Sequence, residues 1–165
     1  MENLYTKDCI RTYSGIYMNV FEPTIDMICI EDISHSLSMQ CRFGGHLPKF
    51  YSVAQHSVNC CNYVPEDFKL ETLLHDAAEA YLIDLPSPIK HRLPEYKQME
   101  NNIMKLIAQK FGLEYPFASI IHEADKAVLQ YEWDNIMINS SEVTHCWCPE
   151  IAKSIFIDYF NMYQR

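Results

Sequence analysis

Three ionisable side chains, His75, Asp76 and Glu79, stand inside LLHDAAEAY, a stretch that is otherwise almost wholly apolar. This is the feature that most restricts the fold. Leu70, Leu73, Leu74, Ala77, Ala78 and Tyr81 recur at helical spacing, and Pro65 stands where a helix tolerates proline as it starts. A charge beside such a stripe is costly unless a partner meets it. The chain must therefore fold so that other segments bring partners to residues 75–79. Glu79 shares a helix flank with His75 and Asp76. His75 and Asp76 are adjacent and point about 100° apart, so they converge on one ion only at the rim of a pocket. Ala77 and Ala78 let neighbouring helices approach closely.

Partners are available elsewhere. His56 lies in SVAQHS and Asp125 in HEADKAVL, each within its own predicted helix. Two imidazoles and two carboxylates form a mixed nitrogen and oxygen donor set that suits Mn, Co, Fe, Zn or Ni. In isolation each residue has an ordinary explanation: a structural histidine, a chance His-Asp pair, a solvated glutamate. The ordered set of His56, His75-Asp76, Glu79 and Asp125 carries the signal.

The rest of the chain reads as mostly helical. Residues 12–30 alternate apolar and polar side chains and predict a short β-hairpin or extended arm. Asp32 is placed as the cap of a helix to Cys41, with Ile33, Leu37 and Cys41 on one face. Gly44, Gly45 and Pro48 make a loop of CRFGGHLPKFY. Ser52 caps a helix over residues 53–63. DLPSPIKHRLP is a proline-broken connection. A helix follows from PEYKQ to a stop at Gly112, with Met99, Ile103, Leu106, Ile107 and Phe111 at helical spacing. Two more are expected over residues 117–138 and 149–163. The expectation is an all-α bundle of about six helices with a small N-terminal β-hairpin, in a single domain over residues 1–165.

Composition narrows the function. The 165 residues are 48% hydrophobic and 13% aromatic, as in a packed globular protein. A net charge of −9 and scattered Lys and Arg argue against gripping a long nucleic acid. No apolar run is long enough to span a bilayer, and MENLYTKDCIRTYSG does not read as a signal peptide. A cytoplasmic location is expected, in a cell or, for a virus-encoded protein, in its host. Seven irregularly spaced cysteines predict free thiols. His145-Cys146-Trp147-Cys148 lacks the second half of a structural zinc site and is read as ordinary. His35 is given a structural or capping role. Tyr159, Phe160 and Tyr163 supply core or a subunit interface, and a homo-oligomer is expected.

YSVAQHS, LLHDAAEAYLIDLPSPIK and ADKAVLQYE together resemble the HD superfamily of phosphohydrolases, in particular small bacterial 5′-deoxynucleotidases and phage dATP triphosphohydrolases. The resemblance spans roughly residues 33–138. It implies that His56, His75, Asp76 and Asp125 bind one divalent metal ion, with Mg added to the metals above. It implies that Glu79 is catalytic together with Asp84, the Asp before Leu-Pro. Arg42 corresponds to a phosphate-contacting arginine, and Lys90, which closes LPSPIK, is a second phosphate contact. Phe43 stands where the deoxynucleotidases carry tryptophan and keeps a face for stacking on a base. His46 follows the Gly44-Gly45 step as a further substrate-facing candidate. The implied reaction is hydrolysis of a (deoxy)nucleotide phosphate, from a mono- or a triphosphate. The alternative is a non-catalytic HD-like domain that binds metal or nucleotide as a sensor.

Overall fold

A computed structural model describes residues 8–139 and 145–164. Residues 1–7, the start of the stretch examined for a signal, lie outside it. Among the described residues the structure is mostly helical, with eight α-helices and one two-stranded antiparallel sheet.

The hairpin predicted at the N-terminus is present. Strand β1 (Cys9–Arg11) pairs with β2 (Tyr17–Asn19), Ile10 facing Met18. The turn closes through Thr12 N–H to the Ile16 carbonyl, and Gly15 takes a φ of 92°, which a glycine adopts without a Cβ clash. Helix α1 covers Ile30–Met39. Asp32 is not its cap. It sits buried in the first turn and accepts hydrogen bonds from Ser14 N–H at 2.6 Å and Ser14 Oγ at 2.8 Å. The carboxylate thus ties the hairpin turn to the helix, a use across sequence that local capping signals do not register. Cys41, expected on the face of this helix, lies beyond it and bridges Ser52.

Ser52 caps α2 (Val53–Cys60) as predicted, its Oγ accepting from Gln55 N–H at 3.1 Å, and one 3-10 turn carries the chain on to Tyr63. The largest departure concerns residues 65–82, expected as one helix. The segment instead forms a 3-10 turn, then α3 (Lys69–Leu73), then a run of turns over 74–78, then α4 (Glu79–Leu82). Several bonds in this run, such as His75 N–H to the Thr72 carbonyl and Glu79 N–H to the Asp76 carbonyl, span three residues and not four. The tighter winding follows the packing of Leu73, Leu74, Ala77 and Ala78, all fully or almost fully buried.

Short α5 (Ser87–Lys90) falls in the proline-rich connection. Helix α6 (Pro94–Phe111) ends at Gly112 in the left-handed conformation, as its sequence predicts. Helix α7 (Ser119–Glu132) continues into a wider π-helical stretch, Trp133–Ile138, so the segment expected as one helix changes winding after Glu132. Helix α8 (Pro149–Tyr163) has the predicted bounds. It lies across α1, α2 and α3. Phe156 and Phe160 are buried there, and Phe160 meets Phe111 edge to face at 5.1 Å. Burying each large apolar side chain stabilises the fold by about 1.5–3 kcal/mol.

Helix α2 is central, packed against α1, α3, α7 and α8. That position gives His56 its surroundings. Among the described residues no helix is long and apolar enough to cross a membrane. All seven cysteines are free thiols. His35 stacks on Tyr13 at 3.8 Å, a structural role.

Candidate metal centre

His56 is 0% exposed on α2, and both ring nitrogens are engaged. Nδ1 is 2.7 Å from Glu132 Oε1, and Nε2 is 3.1 Å from Asp125 Oδ1. A carboxylate this close fixes Nδ1 as the protonated nitrogen and leaves Nε2 with its lone pair. The lone pair then faces a carboxylate oxygen, an arrangement that needs a proton or a cation between the two atoms.

The other predicted ligands converge on the same space. His75 Nε2 lies 3.3 Å from Asp76 Oδ2 and 3.8 Å from Asp125 Oδ1. Asp76 Oδ2 is 3.8 Å from His56 Nε2. His75 Nδ1 is fixed by the Thr72 carbonyl at 2.7 Å, so its Nε2 is aimed inward; it is buried and has no hydrogen-bond partner. The tight winding at residues 74–78 is what lets neighbours His75 and Asp76 face one cavity. Donors about 2.0–2.2 Å from a common ion must lie within roughly 4.4 Å of each other. The His56–Asp125, His75–Asp76, His56–Asp76 and His75–Asp125 separations, 3.1 to 3.8 Å, meet that bound. An orphaned imidazole nitrogen and a lone pair set against a carboxylate mean that these residues fit a divalent cation. Cys60 also enters the group: the donor atoms of His56, Cys60, His75 and Asp125 all lie within 4.8 Å of one another.

Electrostatics agree with the geometry. Burial disfavours protonated His75, but Asp76 and Asp125 more than reverse this and raise its pKa to about 9. Asp125 is destabilised by burial, yet His56 and His75 hold it well below the usual carboxylate range. A site that draws a proton onto His75 and away from Asp125 is one that favours positive charge.

The remaining predicted residues ring this cluster. Glu79, at 4% exposure, places Oε1 3.2 Å from Lys90 Nζ, while Oε2 is buried without a partner. Burial, then the charges of Asp76 and Asp84, push its pKa well above the usual range. Lys90 also pairs with Glu100. Asp84 is raised too, mainly by burial. Arg42 is buried, its Nε donating to Glu132 Oε2 at 2.9 Å and Nη1 standing 3.8 Å from Asp76 Oδ2. It is held by the base of its loop, where Arg42 N–H bonds the Tyr51 carbonyl. Phe43 lies 6.1 Å from Trp133, ring to ring. His46 is exposed on this loop and joins none of the cluster's ion pairs. Gln55 takes up the backbone of His145 and Trp147 in hydrogen bonds, consistent with the ordinary reading of that segment.

Two residues of the site went unread in the sequence. Glu132 is 0% exposed and holds both His56 and Arg42. Ile121, Ala124, Val128 and Glu132 form the buried stripe of α7, so a glutamate at a core position was the available signal. Cys60 stands one helical turn after His56, where a free cysteine passes for a small apolar residue.

The link from Glu79 to Asp84 is strained. Ile83 has φ 70° and ψ 149°, a region that side chains with a Cβ rarely enter. The turn is clamped by Gln40, whose Nε2 donates to the Glu79 carbonyl at 3.0 Å and whose Oε1 accepts from Asp84 N–H at 2.9 Å. Tyr96 Oη donates to the Ile83 carbonyl at 2.5 Å. Ile83 is 59% exposed, so little burial is lost on its removal. Ile83→Gly is expected to stabilise the protein by about 1 kcal/mol in urea denaturation, strain relief exceeding the added chain entropy. A drop in stability would show that the turn carries no such strain.

Fold and site together define a helical protein with a clustered His, Cys and Asp group able to hold a metal ion. Comparison with known sequences places it further. No family model matches the chain. The uncharacterized protein YfdR of Escherichia coli K12 is 46% identical over 123 residues, which cover 74% of this chain and 69% of YfdR. An uncharacterized protein of Rhodobacter capsulatus is 32% identical over 127 residues, covering 71% of this chain and 65% of that protein. The chain belongs to the family of YfdR.

Proposed function

We propose that the protein is a metal-dependent phosphohydrolase of the HD type acting on (deoxy)nucleotide phosphates. One observation carries this reading: His56, the His75-Asp76 pair and Asp125, from three separate parts of the chain, turn donor atoms onto one space beside the buried acid Glu79. A bound divalent cation supplies a Lewis acid for a phosphoryl oxygen and lowers the pKa of its water.

The chain's own residues supply the rest. Arg42 and Lys90 offer fixed positive charge to the phosphate. Glu79 and Asp84, both with raised affinity for protons, exchange them with the attacking water and the leaving oxygen. Phe43 and Trp133 present aromatic faces beside Arg42, suited to stacking on a base.

The test is a panel of mono-, di- and triphosphate nucleotides assayed against Mn, Co, Zn, Fe, Ni and Mg. Release of inorganic phosphate from a deoxynucleoside monophosphate is expected of a 5′-deoxynucleotidase. Release of intact triphosphate from dATP identifies a triphosphohydrolase. No metal-dependent turnover on any member of the panel would count against the proposal and for a binding role.

A further inference from the structure

We propose that Gln40 is a positioning residue, whose side-chain amide registers Glu79 and Asp84 against the helix that carries His56. The inference rests on the reaction proposed above. The backbone of Gln40 is held at both ends. Its N–H donates to the Ser36 carbonyl in the last turn of α1, and its carbonyl accepts from Val53 N–H, both at 3.1 Å. Val53 is the first residue of α2. Gln40 is thus fixed to the frame of His56 before its side chain is considered.

That side chain reaches the segment of the two acids. Nε2 donates to the Glu79 carbonyl and Oε1 accepts from Asp84 N–H, so one planar amide spans the step from the first acid to the second. Nε2 gives its other hydrogen to Ser36 Oγ at 3.0 Å. The amide cannot be reversed, because its NH2 group would then face the Asp84 N–H. The segment needs such a tie. Helix α4 ends at Leu82, and beyond it Ile83 holds a conformation that a free chain would leave. Tyr96 holds the Ile83 carbonyl but neither acid. The fold depends on the amide far less. The Glu79 carbonyl also accepts from Ile83 N–H at 2.8 Å, and Ser36 Oγ donates to the Ala80 carbonyl at 2.8 Å. Loss of the amide leaves the Asp84 N–H to find another acceptor, in a partly exposed segment that water reaches. The cost therefore falls on the placement of the acids, which proton transfer requires to within about 0.5 Å.

Gln40→Leu, close to glutamine in size, tests this on the nucleotide and metal ion that the wild type turns over fastest. kcat is expected to fall roughly 10–100-fold, with KM and metal content within about twofold of wild type. Amide hydrogen exchange supplies a readout besides activity. The Asp84 N–H is expected to exchange about tenfold faster or more, while the amides of α2 keep their protection. Gln40→Glu keeps an oxygen for the Asp84 N–H and loses the donor to the Glu79 carbonyl. It is expected to preserve the Asp84 protection and to lose part of kcat, and it carries the test if the leucine variant does not fold. Unchanged kcat in the leucine variant overturns the role, as does a loss of kcat matched by a loss of metal. Unchanged exchange at Asp84 overturns the tie itself. A wild type without turnover on any nucleotide removes the reaction, and the role with it; failure of the inference alone shows only in the variants.

Discussion

Replacing Glu132 with glutamine is expected to lower divalent-metal affinity by about 10–100-fold, with helical content unchanged. The carboxylate accepts hydrogen bonds in the core from His56 Nδ1–H at 2.7 Å, from Arg42 Nε–H at 2.9 Å and from the Tyr51 hydroxyl. Glutamine has one carbonyl oxygen and an NH2 group, so it cannot accept from both His56 and Arg42 and must present hydrogens to one of them. Arginine cannot give up its proton, but imidazole can change tautomer. The amide oxygen stays on Arg42, the NH2 group donates to Nδ1, and the His56 proton moves to Nε2. That is the nitrogen 3.1 Å from Asp125 and aimed at the centre, and it loses the lone pair an ion requires. Titration calorimetry with zinc or manganese measures the effect. Glu132→Leu removes both acceptor oxygens, leaves the buried Arg42 cation only the Asp76 carboxylate 3.8 Å away, and should destabilise the fold by about 3–5 kcal/mol. Undiminished metal affinity in the glutamine variant would mean that Glu132 does not set the tautomer.

Glu79→Gln is expected to reduce turnover by about 10²–10⁴-fold while metal content stays at the wild-type level. Glu79 shares no ion pair with the four predicted ligands; its Oε1 is held by Lys90 and its Oε2 has no partner. Burial and the carboxylates of Asp76 and Asp84 favour its protonated form, which glutamine imitates in shape without being able to exchange a proton. Turnover and metal content measured on one preparation separate the outcomes. Unchanged turnover would exclude Glu79 from the reaction, and lost metal would make it a ligand. The same raised pKa has a stability consequence in the metal-free protein. Its contribution is fully present below the unfolded value near 4.5 and is lost as pH rises through the native pKa. The glutamine variant should flatten that part of the stability profile.

Where local physics decides the structure, the sequence was legible. The Ser52 cap, the Gly112 stop of α6 and the bounds of α8 follow from signals within a few residues of each feature. Four residues, His56, His75, Asp76 and Asp125, were placed together from their order, their apolar surroundings and the resemblance to the HD superfamily, and the structure turns them onto one space. The tight winding at residues 74–78 was not legible, because the apolar spacing of Leu70 to Tyr81 fits an ordinary α-helix equally well. Asp32 looked like a cap because its partner, Ser14, lies in a distant turn. Glu132 escaped notice because its partners His56 and Arg42 stand 76 and 90 positions away, beyond any local pattern.

Those separations carry a meaning of their own. Of the four residues that face the candidate metal site, just two, His75 and Asp76, are neighbours along the chain. No excised helix or short peptide from this protein can reproduce the pocket. A spectroscopic signal from an ion seated there is therefore a gauge of the assembled tertiary structure, sensitive to the docking of α7 on α2 in a way that helix content is not.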